Sequence, residues 1–137
     1  MKTLFIGFFV AFIAQPMAAH AVDTMQLQGS WTLKSAVYTK ADGSKINISA
    51  QDLQSIKVLS KQHFSFVTAD KNGNFSSALA GSYQIKGDSY QETPESGSVP
   101  AMLHKTYHFK ARLEGKLWFH SGMEDGVKIE EVWQRLD

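Results

Sequence analysis

A few side chains in this sequence have the types and spacing that chemistry would need. His104 and His108 lie four residues apart, the spacing of a metal-binding pair on a helix. The residues around them alternate as in a strand, however, and four strand residues span about 13 Å, too far for one ion. His108 falls on the polar face of that segment and reads as solvent-exposed, so no metal site is assigned. His120 sits in Leu117-Trp118-Phe119-His120-Ser121, where both faces carry an aromatic ring. Either Leu117 and Phe119 point inward, or Trp118 and His120 do. The second arrangement puts an indole and a titratable imidazole inside, with His120 either a ligand contact or a structural histidine satisfied by its neighbours. Glu131 shares a face with Ile129, Trp133 and Arg135. On an interior face its carboxylate needs a partner. Arg135 lies about 7 Å along the strand and would make a structural ion pair; the other role for Glu131 is as an anchor for a ligand head group. Tyr83, Tyr90 and Tyr107 either present hydroxyls to a cavity or form aromatic cross-strand pairs. Glu92, beside Pro94, lines a mouth or is a solvated rim charge. A Glu92–Glu131 carboxylate pair is the kind that hydrolyses glycosides, but nothing singles it out. There is no Ser-His-Asp order, nucleophile elbow or Gly-rich phosphate loop. No catalytic residue and no cofactor are assigned.

The elements that must position these residues begin after residue 21. Lys2 is followed by an apolar run from Leu4 to Ile13, then Pro16 and small residues ending in Ala19-His20-Ala21. That is the order of a secretory signal peptide. A membrane span needs about 20 apolar residues, and this run stops well short. The expected division is therefore a signal peptide over 1–21 and one domain over 22–137, in the periplasm or secreted. There is no cysteine, which excludes a lipid-modified N-terminal cysteine, a disulfide scaffold and a thiolate nucleophile. Of the 137 residues 43% are hydrophobic and 20% charged, which suits one ordinary globular domain. Cleavage removes Lys2 and so balances the 13 acidic residues. With neither net charge nor a basic stripe, a nucleic-acid partner is excluded.

The mature chain reads as strands. Tyr107, Phe109, Ala111 and Leu113 alternate with His108, Lys110 and Arg112; Val127, Ile129 and Trp133 alternate with Lys128, Glu130 and Gln134. Period two means strands with one buried face. Ala41-Asp42-Gly43-Ser44, Asp70-Lys71-Asn72-Gly73-Asn74, Lys86-Gly87-Asp88, Glu114-Gly115-Lys116 and the segment Gly122 to Gly126 read as hairpin turns. Ser49-Ala50-Gln51-Asp52 has a capping-box pattern, which predicts one short helix or turn near 50–54. Strands are expected at about 30–40, 45–48, 55–60, 63–69, 75–86, 89–93, 104–114, 117–121 and 127–136, with an irregular loop from Glu92 to Ala101. Eight or nine hairpin-linked strands tend to close and remove their edges. The expected fold is a small all-β, antiparallel up-and-down barrel, with a β-sandwich as the alternative.

Gly29-Ser30-Trp31 opens the first long strand and Arg135 lies near the end of the last. This resembles the calycin and lipocalin pattern. There a G-x-W tryptophan closes the barrel base and an arginine from the last segment packs over its ring. The resemblance implies structural roles for Gly29, Trp31 and Trp133. The runs Ile56-Lys57-Val58-Leu59, His63-Phe64-Ser65-Phe66-Val67, Gly81-Ser82-Tyr83, Gly87-Asp88-Ser89-Tyr90, Trp118-Phe119-His120-Ser121-Gly122 and Glu130-Glu131-Val132-Trp133 resemble a family of secreted bacterial lipocalin-like domains of unassigned function. That resemblance implies an exported calycin-type barrel and supplies no substrate. The expected function is binding of a small hydrophobic or amphipathic ligand inside. Trp118, Phe119, Tyr83, Tyr90 and Tyr107 would contact its apolar part, and His120, Glu131 and Arg135 would fix a polar end. The alternative is a solidly packed barrel serving protein–protein interaction in the cell envelope, as a homodimer for example.

Overall fold

The computed structural model describes residues 22–137, apart from the side chain of Met25; the segment read as a signal peptide, 1–21, lies outside the described residues. The chain folds into α1 (Thr24–Leu27), β1 (Gly29–Thr39), β2 (Lys45–Ser49), β3 (Leu53–Leu59), β4 (His63–Asp70), β5 (Phe75–Lys86), β6 (Ser89–Gly97), a short 3-10 helix (Pro100–Met102), β7 (Tyr107–Glu114), β8 (Leu117–Glu124) and β9 (Val127–Arg135). From β3 to β9 each strand pairs antiparallel with the next. β9 returns to β1 from Trp31↔Arg135 to Thr39↔Lys128, which closes an eight-stranded barrel. β2 stands outside it. β1 pairs with β3 over Gly29 to Thr32 and with β2 over Ser35 to Thr39.

The turns form where side chains replace missing ladder partners. The Asp42 carboxylate accepts from the Ser44 amide at 2.9 Å. The Asp70 carboxylate accepts from the Asn72 and Asn74 amides at 2.8 and 2.9 Å. Gly43 and Gly73 supply the positive φ both turns need. The Ser49–Asp52 capping pattern is half made: Asp52 accepts from the Ser49 amide at 2.9 Å, but the Asp52 amide donates to the Ser49 carbonyl at 3.0 Å and not to its hydroxyl. It builds a turn, because β3 starts at Leu53 and leaves no room for a helix. The short α-helix lies instead at Thr24–Leu27, capped by Asp23 in a reciprocal box with Gln26.

β6 corrects another expectation. It runs past Pro94 to Gly97 where an irregular loop was expected from Glu92. The register shifts between Ala80↔Ser96 and Gly81↔Pro94, so Glu95 bulges and Pro94 needs no ladder donor. Gly81 is required opposite the bulge, since a Cβ there would lie 2.0 Å from the Thr93 carbonyl oxygen. β7 begins at Tyr107 rather than at residue 104, because the 3-10 helix and His104, at φ +64°, turn the chain first.

The base of the barrel is closed. α1 lies across it, with Leu27 fully buried. The Trp31 indole N–H donates to the Leu27 carbonyl at 2.9 Å. The Arg135 guanidinium lies 4.2 Å from the Trp31 ring centroid. It also donates to the Gln28 carbonyl at 2.8 Å and to the Gln26 carbonyl. Gly29 sits at φ +125°, and a Cβ there would meet Arg135 at 2.7 Å. First strand, last strand and helix are thus fastened by one side chain. Arg135→Ala should cost about 2–3 kcal/mol, from a cation–π contact and hydrogen bonds from a charged donor. The drop in urea midpoint would measure it. Arg135→Lys should recover little, because an ammonium cannot stack and fork together.

Above the base the interior is aromatic. Trp31 meets Trp118 edge-on at 5.5 Å, Trp118 meets Tyr90 at 5.4 Å, and Tyr90 stacks on Tyr83 at 5.5 Å. These rings fill the lower half of the barrel. The upper half is not filled.

Candidate functional site

Lys57 lies at the centre of the interior. On β3, Ser55 and Lys57 point inward and are each only 3% exposed, whereas Ile56 and Val58 point outward. The Lys57 ammonium donates to the Glu92 carboxylate at 2.7 Å, and the Tyr90 hydroxyl donates to the same oxygen at 2.9 Å. Five ring centroids surround the ammonium: Phe64 at 5.1 Å, Trp118 at 5.5 Å, Tyr90 at 5.6 Å, Trp133 at 5.8 Å and Phe66 at 5.9 Å. A buried charge is tolerated only when it is paired and hydrogen-bonded, and this one is both.

Glu131 forms a second polar centre. Its carboxylate accepts from the Tyr38 hydroxyl at 2.9 Å and from the Trp133 indole N–H at 2.9 Å. Both donors are neutral, so its charge is solvated by dipoles and not cancelled by contact with a cation. Burial raises its pKa, the nearby Lys57 and the two hydrogen bonds pull it down, and Glu92 adds to the rise. Glu124 stands on the same face of the next strand. Burial, then Glu131 and Glu92, push its carboxyl up to about 7 against the pull of Lys57. His120, directly across from Glu131 on β8, is 2% exposed. Burial and Lys57 hold it well below the usual histidine range, so it is neutral. Its Nδ1 has no hydrogen-bond partner among the described residues, and neither does the Trp118 indole N–H.

These groups line a cavity of about 250 Å³ that opens at the end opposite Trp31. Leu33, Leu53, Phe66, Leu79, Val99 and Met102 form its apolar wall, and Lys57, Glu92, His120, Glu124 and Glu131 its polar one. The volume is below the range typical of drug-sized ligands. A wider depression of about 850 Å³ also touches His120 and Glu131 and extends around Phe119, Val132, Lys110 and Arg112. It is open, and Lys110, Arg112 and Glu130 on its wall are charged. The interior cavity is the candidate site because Lys57, Glu92 and Glu124 join His120 and Glu131 only there.

The residues anticipated from sequence fall into different places. His120 and Glu131 line the cavity. Trp118 and Tyr90 lie beneath it, packed around Lys57. Tyr83 serves the base, its hydroxyl donating to the Ser60 carbonyl at 2.6 Å. Tyr107 is at the mouth end, donating to the Asp125 carboxylate at 2.9 Å. Arg135 is on the base with Trp31, so it does not pair with Glu131 or reach the cavity. Phe119 points outward under the Arg112 guanidinium, 4.0 Å from its ring centroid. Trp133 is buried in the core cluster and also binds Glu131. His108 is exposed. Glu92 is a buried ion-pair partner and not a rim charge. Sequence reasoning missed Lys57. The available signal was Leu53-x-Ser55-x-Lys57-x-Leu59, an alternating set with apolar ends that competes with Ile56 and Val58 for the inward face.

A closed antiparallel barrel with a G-x-W strand stapled to its last strand by arginine, and an opening at the other end, is a lipocalin-like barrel. The chain belongs to a family described as a domain of unknown function, DUF4488, which it matches over residues 26–137. It is similar in structure to a lipocalin-like protein from Bacteroides uniformis, with a TM-score of 0.52 and 19% identity, over 80% of this chain and 98% of that one. An uncharacterized protein from Bacteroides eggerthii is similar at a TM-score of 0.51 and 19% identity, over 79% and 98% of the two chains. No curated protein matches.

Proposed function

We propose that this protein is an exported small-molecule binder that holds one largely apolar ligand, with a polar end, in the upper half of the barrel. The observation that carries this reading is the 250 Å³ cavity with an apolar wall on one side and the buried polar groups of Lys57, Glu92, His120, Glu124 and Glu131 on the other. A barrel of eight strands has room for side chains or for one small ligand. Here the aromatic plug fills only the base, so both arrangements share one interior. The leader expected over 1–21 supports a place in the periplasm or outside the cell.

Native mass spectrometry of the purified protein tests the reading. A discrete adduct should be present and should disappear in Met102→Trp, where an indole on the 3-10 helix fills the mouth. An adduct that survives the blocked mouth would place the ligand elsewhere, and its absence from both proteins would count against a carrier.

One observation favours a second reading, self-association. Ile56, Val67 and Ala78 stand in register across β3, β4 and β5, and Ile56 and Val67 are 52% and 56% exposed. Val58 continues this outward apolar strip at 45% exposure. A second copy would cover it. Light scattering after gel filtration should then give a dimer that Val67→Lys converts to a monomer.

A further inference from the structure

We infer that the ligand is a small organic cation, an amine with an aromatic or short aliphatic body, and not a fatty-acid-type anion. This inference rests on the carrier reading and names the ligand class of the same cavity. The charges on the cavity wall do not balance: Lys57 faces Glu92, Glu131 and Glu124. Lys57 is already matched by Glu92 at 2.7 Å and flanked by five aromatic rings. An incoming carboxylate would add a further negative charge to a wall on which three carboxyl groups already face one ammonium. Glu131 makes contact only with neutral donors, Tyr38 and Trp133. Each carboxylate oxygen has a second lone pair, so Glu131 can accept from an ammonium without losing either bond.

His120 is an independent pointer. It is 2% exposed, lines the same cavity beside Glu131, and its Nδ1 is unpartnered. A buried polar atom without a partner calls for one. An alkylammonium brings three donors and no acceptor, which suits a wall whose unused capacity is the Glu131 lone pairs. The Ser55 and Thr68 hydroxyls, bonded to each other at 2.8 Å, also line the cavity and have lone pairs to spare. The rest of the wall is Leu33, Leu53, Phe66 and Leu79, which suits a short apolar body.

Three near-isosteric probes decide the matter: phenethylamine, 2-phenylethanol and phenylacetate, titrated calorimetrically into the full protein at about pH 8, where the amine is an ammonium. The amine should bind at least about tenfold more tightly than either of the others. Glu131→Gln should weaken the amine about tenfold and the alcohol much less, since only the amine brings a charge. Glu124→Gln, at a residue with no hydrogen bond to break among the described residues, should weaken the amine in the same direction and guards against a folding defect in the first variant. Equal or tighter binding of phenylacetate or the alcohol overturns the inference and leaves the carrier reading standing. Binding of none of the three overturns it too, and the carrier reading falls with it if native spectra also lack an adduct.

Discussion

Glu92→Ala is expected to cost about 3–5 kcal/mol and to lower the melting temperature by about 10–20 °C. The Lys57 ammonium and the Glu92 carboxylate are almost fully enclosed, with side chains 4% and 5% exposed. Removing the carboxylate leaves an ammonium in an aromatic box with no anion in contact. Cation–π attraction offsets part of that, at about 0.5–2 kcal/mol for a ring, but the five rings lie at 5.1–5.9 Å and share one charge. The Tyr90 hydroxyl loses its acceptor in the same step. Replacing both partners behaves differently, since two buried charges are traded for none. Lys57→Met with Glu92→Gln should recover most of the stability, and a double-mutant cycle should show strong coupling. A single Glu92→Ala protein that melts within a few degrees of the parent would show that water reaches the pair.

Glu124→Gln is expected to stabilise the protein by about 2 kcal/mol near pH 8 and to change nothing near pH 4. The Glu124 carboxyl is held at about 7 in the fold against an ordinary 4.5. Between those values the native state keeps a proton that the unfolded chain has lost. Stability therefore falls as pH rises through that window and is flat above it. At about 1.4 kcal/mol per unit the full effect is about 3 kcal/mol, and partial exposure of the residue reduces it. Glutamine carries no such penalty. The groups facing Glu124 include Glu131 on β9, Glu92 on β6, Lys57 on β3 and Asp125 in the adjoining turn. His120 acts with the opposite sign. Its folded pKa is depressed, so it removes stability as pH falls below about 6.5. That contribution is common to parent and variant and cancels in their difference. Urea unfolding of both proteins from about pH 4 to 9 gives the difference curve directly. Parallel stability curves would sink the assignment.

Most of the fold could be read from the sequence because period two and turn chemistry are local signals. The β7 alternation of Tyr107, Phe109 and Ala111 against His108, Lys110 and Arg112 is reproduced residue for residue in burial. The first-to-last staple could be read too, since Gly29, Trp31 and Arg135 form a pattern tied to one geometry. Other features depended on partners distant in sequence. Pro94 looked like the end of a strand because the accommodating Gly81 lies in β5. Lys57, between Ile56 and Val58, drew no reading of its own because its counter-ion is 35 residues away. Arg135 shares a face with Glu131 in a regular strand, but the strand ends there and α1 offers carbonyls the sequence pattern did not reveal. The site was thus half visible: His120 and Glu131 announced themselves by residue type, and the cation they surround did not.

The division of β1 between two partners has a mechanical consequence. Leu33 and Lys34 pair with neither β2 nor β3, and the Leu53–Gln54 end of β3 pairs with β4 alone. The barrel is therefore a complete hoop at the base and a split ring at the rim. A split ring can widen at its gap while every rung elsewhere stays intact. Loading and unloading the interior would then proceed by a small hinge movement of the β2–β3 elbow, on a timescale separate from unfolding of the hoop. The sealed base and the gap in the rim lie at opposite ends of the same strand.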